Sequence, residues 1–264
     1  MESLRESAPD IVAIDGKTSR RAHGKDGSPL HLVSAWASRQ RLVLGQEAVD
    51  KKSNEIVAIP LLLERLELSG ALVAIDAMGC QREIAEKIRA KGADYLLSLK
   101  DNWPTLAEDV RLYFERERAA CDIHETTDGD HGRIELRRHY VSHTVDWLST
   151  DRRFPGKPRF PALAMIGMIE ATMERDGKTS VARRYYLSSA LLSAKQFAHA
   201  ARAHWGVENG LHWVLDVFHD DLMRLGTENG PANMATIKHA ALNLIKDIPD
   251  KASLKIKKKT AAWP

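Results

Sequence analysis

Short apolar runs separated by polar residues dominate the first fifty positions, in a pattern typical of strands. Three strands are predicted, at residues 11–14, 31–37 and 42–49. The first run ends in Asp15 and Gly16, and polar residues 38–41 join the other two in the manner of a hairpin turn. The pattern predicts an antiparallel meander that follows a polar leader, residues 1–10.

The pattern changes after residue 50 to helical and strand-like segments in alternation. Spacings of three and four between apolar residues predict helices, whereas short continuous apolar runs predict buried strands. The segments are a helix from Glu55 to about Leu68, a strand at 72–75, a helix at 81–90, a strand at 95–99 and a helix from Trp103 to about Ala119. Ser53 is expected to cap the first helix and Gly92 to end the second. Strand–helix–strand order favours parallel pairing, which brings the prediction to five strands.

The second half differs, because residues 122–187 are rich in Arg, His, Gly and Pro. Strands are predicted there at 134–141, 162–169 and 182–187, with Asp176-Gly177 as a hairpin turn. Ser193 then opens a helix to about His219, and a last helix covers about 232–246. The fold class is therefore α/β, with one domain over 11–247 that contains a β-rich insertion at about 122–187. Residues 248–264 are a basic tail that is expected to fray.

Bulk composition narrows the class of protein only slightly. The 264 residues carry a net charge of +3, which is compatible with a nucleic-acid partner without requiring one. Two cysteines are too few for a disulfide framework, so a cytoplasmic location is the expectation. The sequence contains neither a secretory signal nor an apolar run long enough for a membrane span.

Two carboxylates, Asp15 and Asp76, share one sequence context. Each follows the end of a predicted apolar strand after Ala-Ile. Strand ends of an α/β sheet face the crevice in which ligands bind, and two carboxylates there would suit Mg²⁺ or Mn²⁺. The alternatives are that Asp15 simply makes a turn, and that Asp76 caps the next helix through Met78 or Gly79.

A third acidic candidate, Glu208, lies on a helix between two histidines. His204, Glu208 and His212 are spaced by four residues and share one helix face, with Asp216 four residues further on. Asp216 is therefore a rival for the role of third ligand. The same face could instead hold zinc in a hydrolase, or Glu208 and His204 could be a satisfied core pair.

Basic residues are concentrated in residues 131–160, where seven bases stand against three acids. This excess could bind phosphates, and a solvated loop face is an equal alternative. Trp147 and Phe154 could stack on an unpaired base or anchor the insertion to the core.

Several motifs together resemble the DDE transposases of bacterial insertion sequences, in particular the ISAs-type and H-repeat-associated group. The motifs are IVAIDGKTSR, VDKKSNEIVAIPLLLERL, ALVAIDAMGCQREIAEKI, GADYLLSLKDN, HGRIELRR, RAHWGVENGLHWVLDV and PANMATIKHAALNLI. The resemblance implies a ribonuclease H-like fold, a mixed five-stranded sheet flanked by helices. It also implies that Asp15, Asp76 and Glu208 are catalytic acids that bind two Mg²⁺ or Mn²⁺ ions. The activity implied is DNA cleavage and strand transfer, by a dimer, on double-stranded DNA at transposon ends and target.

The chain departs from the broader family around Glu208. The family's Tyr, Arg and Lys correspond here to Ala201, His204 and Leu215, which puts the phosphate-gripping role of that motif in doubt. The candidates for phosphate contacts are Lys17, Arg20, Lys52, Lys100, Arg133, Arg137, Arg202 and His204. The family's N-terminal segment is expected to be absent. The remaining alternatives are a nuclease of the same fold and a remnant that only binds DNA.

Overall fold

The structure is a computed structural model that describes residues 9–23, 29–49, 54–130, 133–148, 159–175, 177–218 and 229–261. The chain forms two compact units. Residues 10–67 and 203–264 form one, here called the meander unit, and residues 68–202 with 1–9 form the other, here called the mixed-sheet unit. Within the described residues, none of the helices is long and apolar enough to cross a membrane.

The meander unit is built on three antiparallel strands, as the sequence predicted. Its elements are β1 (Ile11–His23), β2 (Pro29–Ala37), β3 (Leu42–Ala48), α1 (Glu55–Glu64), the end of α4 (Ala194–Val207), α5 (Trp213–Phe218), α6 (Gly230–Asp247) and α7 (Leu254–Ala261). Ala13 pairs with Trp36, and Trp36 pairs with Val43. Side chains alternate between the two faces of a strand, so one face of the meander carries Ala13 and Trp36. Val207, Leu211, Val214 and Leu242 cover that face.

Four local predictions in the meander unit are wrong. β1 does not end at Ile14, because its ladder with β2 continues and Gly16 pairs with Val33. Asn54 rather than Ser53 caps α1, since its side chain accepts the Ile56 N–H at 3.1 Å. α1 ends at Glu64 rather than near Leu68. The basic tail contains the helix α7 where fraying was expected.

The mixed-sheet unit combines parallel and antiparallel pairing. Its elements are β4 (Leu72–Ile75), α2 (Arg82–Ala90), β5 (Asp94–Leu99), α3 (Pro104–Glu117), β6 (Asp122–Asp130), β7 (Arg133–Ser142), β8 (Met165–Arg175), β9 (Lys178–Ser188) and most of α4. β4 and β5 are parallel, with Leu72 opposite Asp94, which confirms the parallel prediction. Gly92, at φ 70°, ends α2 as expected.

The β-rich insertion continues the sheet of the mixed-sheet unit. β9 pairs antiparallel with β5, Leu97 lying opposite Leu187, and β8, β7 and β6 follow in that order. The predicted β-rich insertion is therefore part of the same sheet as β4 and β5. The strand β6 had not been predicted, because its sequence, DIHETTDGD, contains a single large apolar residue.

α4 packs on the sheet of the mixed-sheet unit through Phe197. The ring of Phe197 is fully buried and lies so close to Gly167 that a β-carbon there would stand 2.7 Å from it. Ser193 caps the helix as predicted: its hydroxyl accepts the Gln196 N–H at 3.3 Å, and the Gln196 side chain accepts the Ser193 N–H at 2.9 Å. This reciprocal pair is a capping box.

Candidate metal centre

Asp15 faces the helical cover of the meander because of its position in β1. It is two residues from Ala13, so its side chain leaves the strand on the face that carries Ala13 and Trp36. Val207 and Leu211, which cover that face, flank Glu208 in sequence. The strand alternation and the helix packing thus bring Asp15 and Glu208 to one place. Asp15 lies inside β1, and both the strand-end and the turn predictions for it are wrong.

Asp15, Glu208 and His212 form a cluster that could hold a metal ion. One ligand atom from each lies within 4.8 Å of the other two. His212 Nδ1 is 3.5 Å from Asp15 Oδ2 and 3.7 Å from Glu208 Oε2. The other oxygen of Asp15, Oδ1, accepts the N–H of Gly16 at 2.9 Å. Among the described residues, this is the group of acids and histidines whose geometry suits a metal, and His204 is not part of it.

The helix widens into a π-helical turn at Glu208–His212, between α4 and α5. The Trp213 N–H bonds to the Glu208 carbonyl, five residues back. Gly210 lies in the middle of this turn, where a β-carbon would stand 2.9 Å from the Trp36 ring. Such turns are rare and are often found at functional sites.

The side chains of the cluster differ in their exposure to solvent and in their charge. Glu208 is 62% exposed, whereas only 5% of the His212 side chain is exposed. Burial is the main cause that lowers the pKa of His212 to about 4, and the positive charge of Lys17 adds to it. The imidazole is therefore neutral at pH 7, so its approach to the two carboxylates is not an ion pair.

The rival ligand Asp216 is engaged elsewhere. Its Oδ1 forms an ion pair with Lys17 Nζ at 2.6 Å. The structure thus brings Glu208 to Asp15 and brings Asp216 to Lys17. Since Lys17 was a candidate for a phosphate contact, its charge is already partly neutralised by this partner.

Asp76 belongs to the mixed-sheet unit and directly follows β4, as the sequence predicted. Its Oδ1 accepts the N–H of Met78 at 3.0 Å and lies 3.4 Å from the N–H of Gly79. The helix α2 begins only at Arg82, so these bonds shape the turn after β4 rather than cap the helix. Burial, with the nearby charge of Asp76, raises the pKa of the Cys80 thiol.

The other basic candidates are mostly paired or lie outside the described part of the chain. Arg137 forms ion pairs with Asp128 and, at 2.7 Å, with Glu135. Arg202 is exposed and lies 3.5 Å from Asp128. Lys100 is exposed and His204 is half-buried. The side chains of Arg20 and Arg133, and all of Lys52, lie outside the described residues.

Trp147 and Phe154, in the basic residues 131–160, are the two candidates for base stacking. The ring of Trp147 stacks on Tyr113 at 5.2 Å, and its indole N–H donates to the Thr144 carbonyl at 2.8 Å. These contacts fit the alternative in which Trp147 anchors the segment. Phe154 lies outside the described residues.

Sequence reasoning missed a network on the opposite face of the meander. His31 Nε2 lies 2.7 Å from Glu55 Oε1, and His31 Nδ1 lies 2.7 Å from the Thr18 hydroxyl. The Glu55 carboxylate lies against Gly16, so closely that any β-carbon there would overlap it. Gly16 is next to Asp15, so this network supports the backbone that carries Asp15. The only signal in the sequence was the motif VDKKSNEIVAIPLLLERL, in which the run KSNEI includes Glu55.

The fold and the cluster together define a mixed α/β protein with a candidate divalent-metal centre. The sequence matches the family described as "Transposase DDE domain" over residues 6–244. The chain belongs to this family, which confirms the resemblance seen in its motifs.

Two relatives and one solved structure give the extent of the similarity. YncI of Escherichia coli O157:H7, a protein named as a transposase, is 41% identical to this chain. The match covers 96% of this chain and 66% of YncI. The H repeat-associated YhhI of Escherichia coli K12, also named as a transposase, is 38% identical over 96% of the chain and 68% of its own. The chain thus spans about two thirds of these relatives. The solved structure is that of a piggyBac transposase, determined by cryo-electron microscopy as a synaptic complex with hairpin DNA. It aligns with 96% of this chain and 52% of its own chain, with a TM-score of 0.54 and 9% sequence identity. This similarity is one of fold.

Proposed function

We propose that the chain is the catalytic part of an insertion-sequence transposase, which cleaves DNA strands at the ends of the element and joins them to a target. The observation that carries this proposal is the approach of Glu208 to Asp15 in a chain of the DDE family. The two residues are 193 positions apart in sequence and come from a strand and a helix, and both keep carboxylate oxygens at the cluster.

The donor set fits a divalent cation. Two carboxylates and a neutral imidazole offer two oxygen ligands and one nitrogen ligand within a few ångströms. Carboxylates so close to each other repel unless a cation or a proton lies between them. Asp15 and Glu208 are therefore the residues proposed to hold Mg²⁺ or Mn²⁺. Asp76 is proposed as the third acidic ligand on the family resemblance alone. The proposed number of bound ions, two, has the same basis.

The bound ions would supply an activated water and stabilise the leaving 3′-oxygen. The chain's own residues hold and orient the carboxylates: the Gly16 N–H fixes one oxygen of Asp15, and the packing of Leu211 fixes the helix of Glu208. The proposed partners are double-stranded DNA at element ends and target, bound by a dimer at the bacterial nucleoid.

The test measures whether the full chain, with Mg²⁺, cleaves duplex DNA that carries the ends of the insertion sequence in which this chain is encoded. Asp15→Asn and Asp76→Asn are each expected to abolish cleavage, while Asp247→Asn, at an exposed carboxylate of α6, is expected to leave it unchanged. Retained cleavage in Asp15→Asn would refute the assignment. Cleavage without joining would show a nuclease of the same fold, and salt-sensitive binding without cleavage would show a DNA-binding remnant.

A further inference from the structure

His212 is placed in the cluster without an ordinary hydrogen bond to explain it. The residue is 4% exposed, and its Nδ1 points between the carboxylates of Asp15 and Glu208. The distances of 3.5 and 3.7 Å exceed the roughly 3.2 Å limit of a good N–H···O bond. The other ring nitrogen, Nε2, is buried and has no hydrogen-bond partner among the described residues.

A buried imidazole in this state is costly unless something else engages it. Taking a polar group out of water without a replacement partner costs about 1–3 kcal/mol. Nδ1, which faces the two carboxylates without a hydrogen bond, is the ring atom that is free to bind a ligand at the cluster.

The spacing of the three ligand atoms suits a shared ion. Bonds of about 2.1 Å from one cation place neighbouring ligand atoms about 3 Å apart and opposite ones about 4.2 Å apart. The distances from Nδ1 to the two carboxylate oxygens, 3.5 and 3.7 Å, fall between these values. The same gaps are too long for hydrogen bonds, and they are compatible with an ion shared by the three side chains.

We infer that His212 supplies an imidazole nitrogen to the ion held by Asp15 and Glu208, which makes this a mixed nitrogen–oxygen site that prefers Mn²⁺ and Co²⁺ to Mg²⁺. The inference rests on the proposed function for the identity of the two carboxylates as ligands. Imidazole binds transition metals well, whereas Mg²⁺ takes oxygen ligands almost exclusively. Glu208 and His212 are the first and last residues of the π-helical turn.

The direct test uses the unaltered full chain with ¹⁵N-labelled histidine, loaded with Mn²⁺ and studied by electron spin-echo spectroscopy. A coupling to a histidine nitrogen is expected. No variant is needed for this measurement, so a folding defect cannot obscure it. Bound Mn²⁺ without nitrogen coupling, or the absence of Mn²⁺ binding, would overturn the inference.

A variant then assigns the nitrogen and tests metal preference. His212→Asn can place an amide oxygen near the position of Nδ1, so the nitrogen coupling should disappear. The Mn²⁺ and Co²⁺ affinities should fall by about tenfold or more, while the Mg²⁺ affinity changes much less. His204→Asn, on the same helix but outside the cluster, is the matched control and should keep both properties. A nitrogen coupling or a metal preference that survives His212→Asn would contradict the assignment.

The outcomes separate this inference from the proposed function. If Mn²⁺ binds without nitrogen coupling and Asp15→Asn abolishes cleavage, the transposase proposal stands and the role of His212 falls. If nitrogen coupling is present but Asp15→Asn still cleaves, the metal site stands and its catalytic role falls.

Discussion

Lys246 holds the carbonyl of Gly210, in the middle of the π-helical turn that carries Glu208 and His212. Its Nζ donates to the Gly210 carbonyl at 2.9 Å and to the Arg41 carbonyl at 3.3 Å. The same ammonium lies 4.1 Å above the ring of Trp36, the residue against which Gly210 packs. A π-helical turn departs from the regular bonding of the helix, and Lys246 satisfies a carbonyl within it.

Replacing Lys246 should therefore destabilise the meander unit. Lys246→Met keeps the apolar stem but removes the donors to two carbonyls, and the loss is expected to be about 1–3 kcal/mol in the free energy of unfolding. Urea denaturation measures it. Lys255→Met, at an exposed lysine of α7, is the control and should change the free energy by less than about 0.5 kcal/mol. Equal effects of the two variants would contradict a role for Lys246 in the turn.

The stability that Lys246 confers should also depend on pH. Burial, with a smaller effect of Arg41, lowers the pKa of Lys246 from 10.5 to about 8. Between these values the unfolded chain binds a proton that the folded chain has released, so stability rises with pH in this window. The free-energy difference between the wild type and Lys246→Met should therefore shift in favour of the wild type from about pH 8 to about pH 10.5. A flat or falling difference over this range would show that the pKa is not lowered.

The order of helices and strands was largely readable from apolar spacing, but the extent of some strands was not. β1 continues for nine residues beyond its apolar run, ending at His23 rather than Ile14, because its ladder with β2 continues. β6 forms in a polar segment because it pairs with β7 along its whole length. Such pairing depends on a partner that is distant in sequence, and local hydrophobicity does not encode it.

The candidate site was also predictable only in part, because local spacing shows which side chains share a helix face but not what they meet in the fold. The helical spacing of four residues placed Glu208 and His212 on one face, and the structure keeps them at one cluster. The spacing gave no means of choosing between Glu208 and Asp216, since that choice depends on where Lys17 lies. The contact of Glu55 with Gly16 joins two segments by packing alone and left no periodic signal.

A side chain at Gly16 is expected to displace the Glu55 carboxylate. A β-carbon there would overlap the Glu55 carboxylate and push it away from His31. Gly16→Ala should lower the free energy of unfolding by about 1–3 kcal/mol, as measured by urea denaturation. Metal affinity should fall with it if the displaced Glu55 carboxylate shifts the backbone of residue 16, whose N–H bonds to Asp15 Oδ1.

A double-mutant cycle identifies the cause of this effect. Glu55→Ala removes the carboxylate that a β-carbon at Gly16 would meet, so Gly16→Ala should cost much less in that background. A coupling of at least about 0.5 kcal/mol between the two positions is expected. Additive effects would instead indicate that Gly16 is needed for its backbone rather than for space.

Asp76 should show separable structural and chemical roles. Asp76→Ala removes the acceptor for the N–H groups of Met78 and Gly79 and should destabilise the fold by about 1 kcal/mol. Asp76→Asn keeps an oxygen acceptor, so its stability should stay near that of the wild type while its DNA cleavage is lost. Thermal unfolding and the cleavage assay, run on both variants, measure the two roles. If Asp76→Asn cleaves normally, Asp76 only shapes the turn.

The choice between Glu208 and Asp216 can be decided by a matched pair of variants. Glu208→Gln removes a charged ligand from the cluster and should reduce metal-dependent cleavage on the order of 100-fold or more. Asp216→Asn breaks only the ion pair with Lys17 and should leave metal affinity within a few-fold of the wild type. Since the released ammonium would be available to phosphates, Asp216→Asn should also bind DNA more tightly at low salt, with a steeper salt dependence. Isothermal titration with Mn²⁺ and DNA binding at several salt concentrations measure the two effects. If Asp216→Asn lost metal binding while Glu208→Gln kept it, Asp216 would be the ligand, and the distances in the cluster would not describe the bound state.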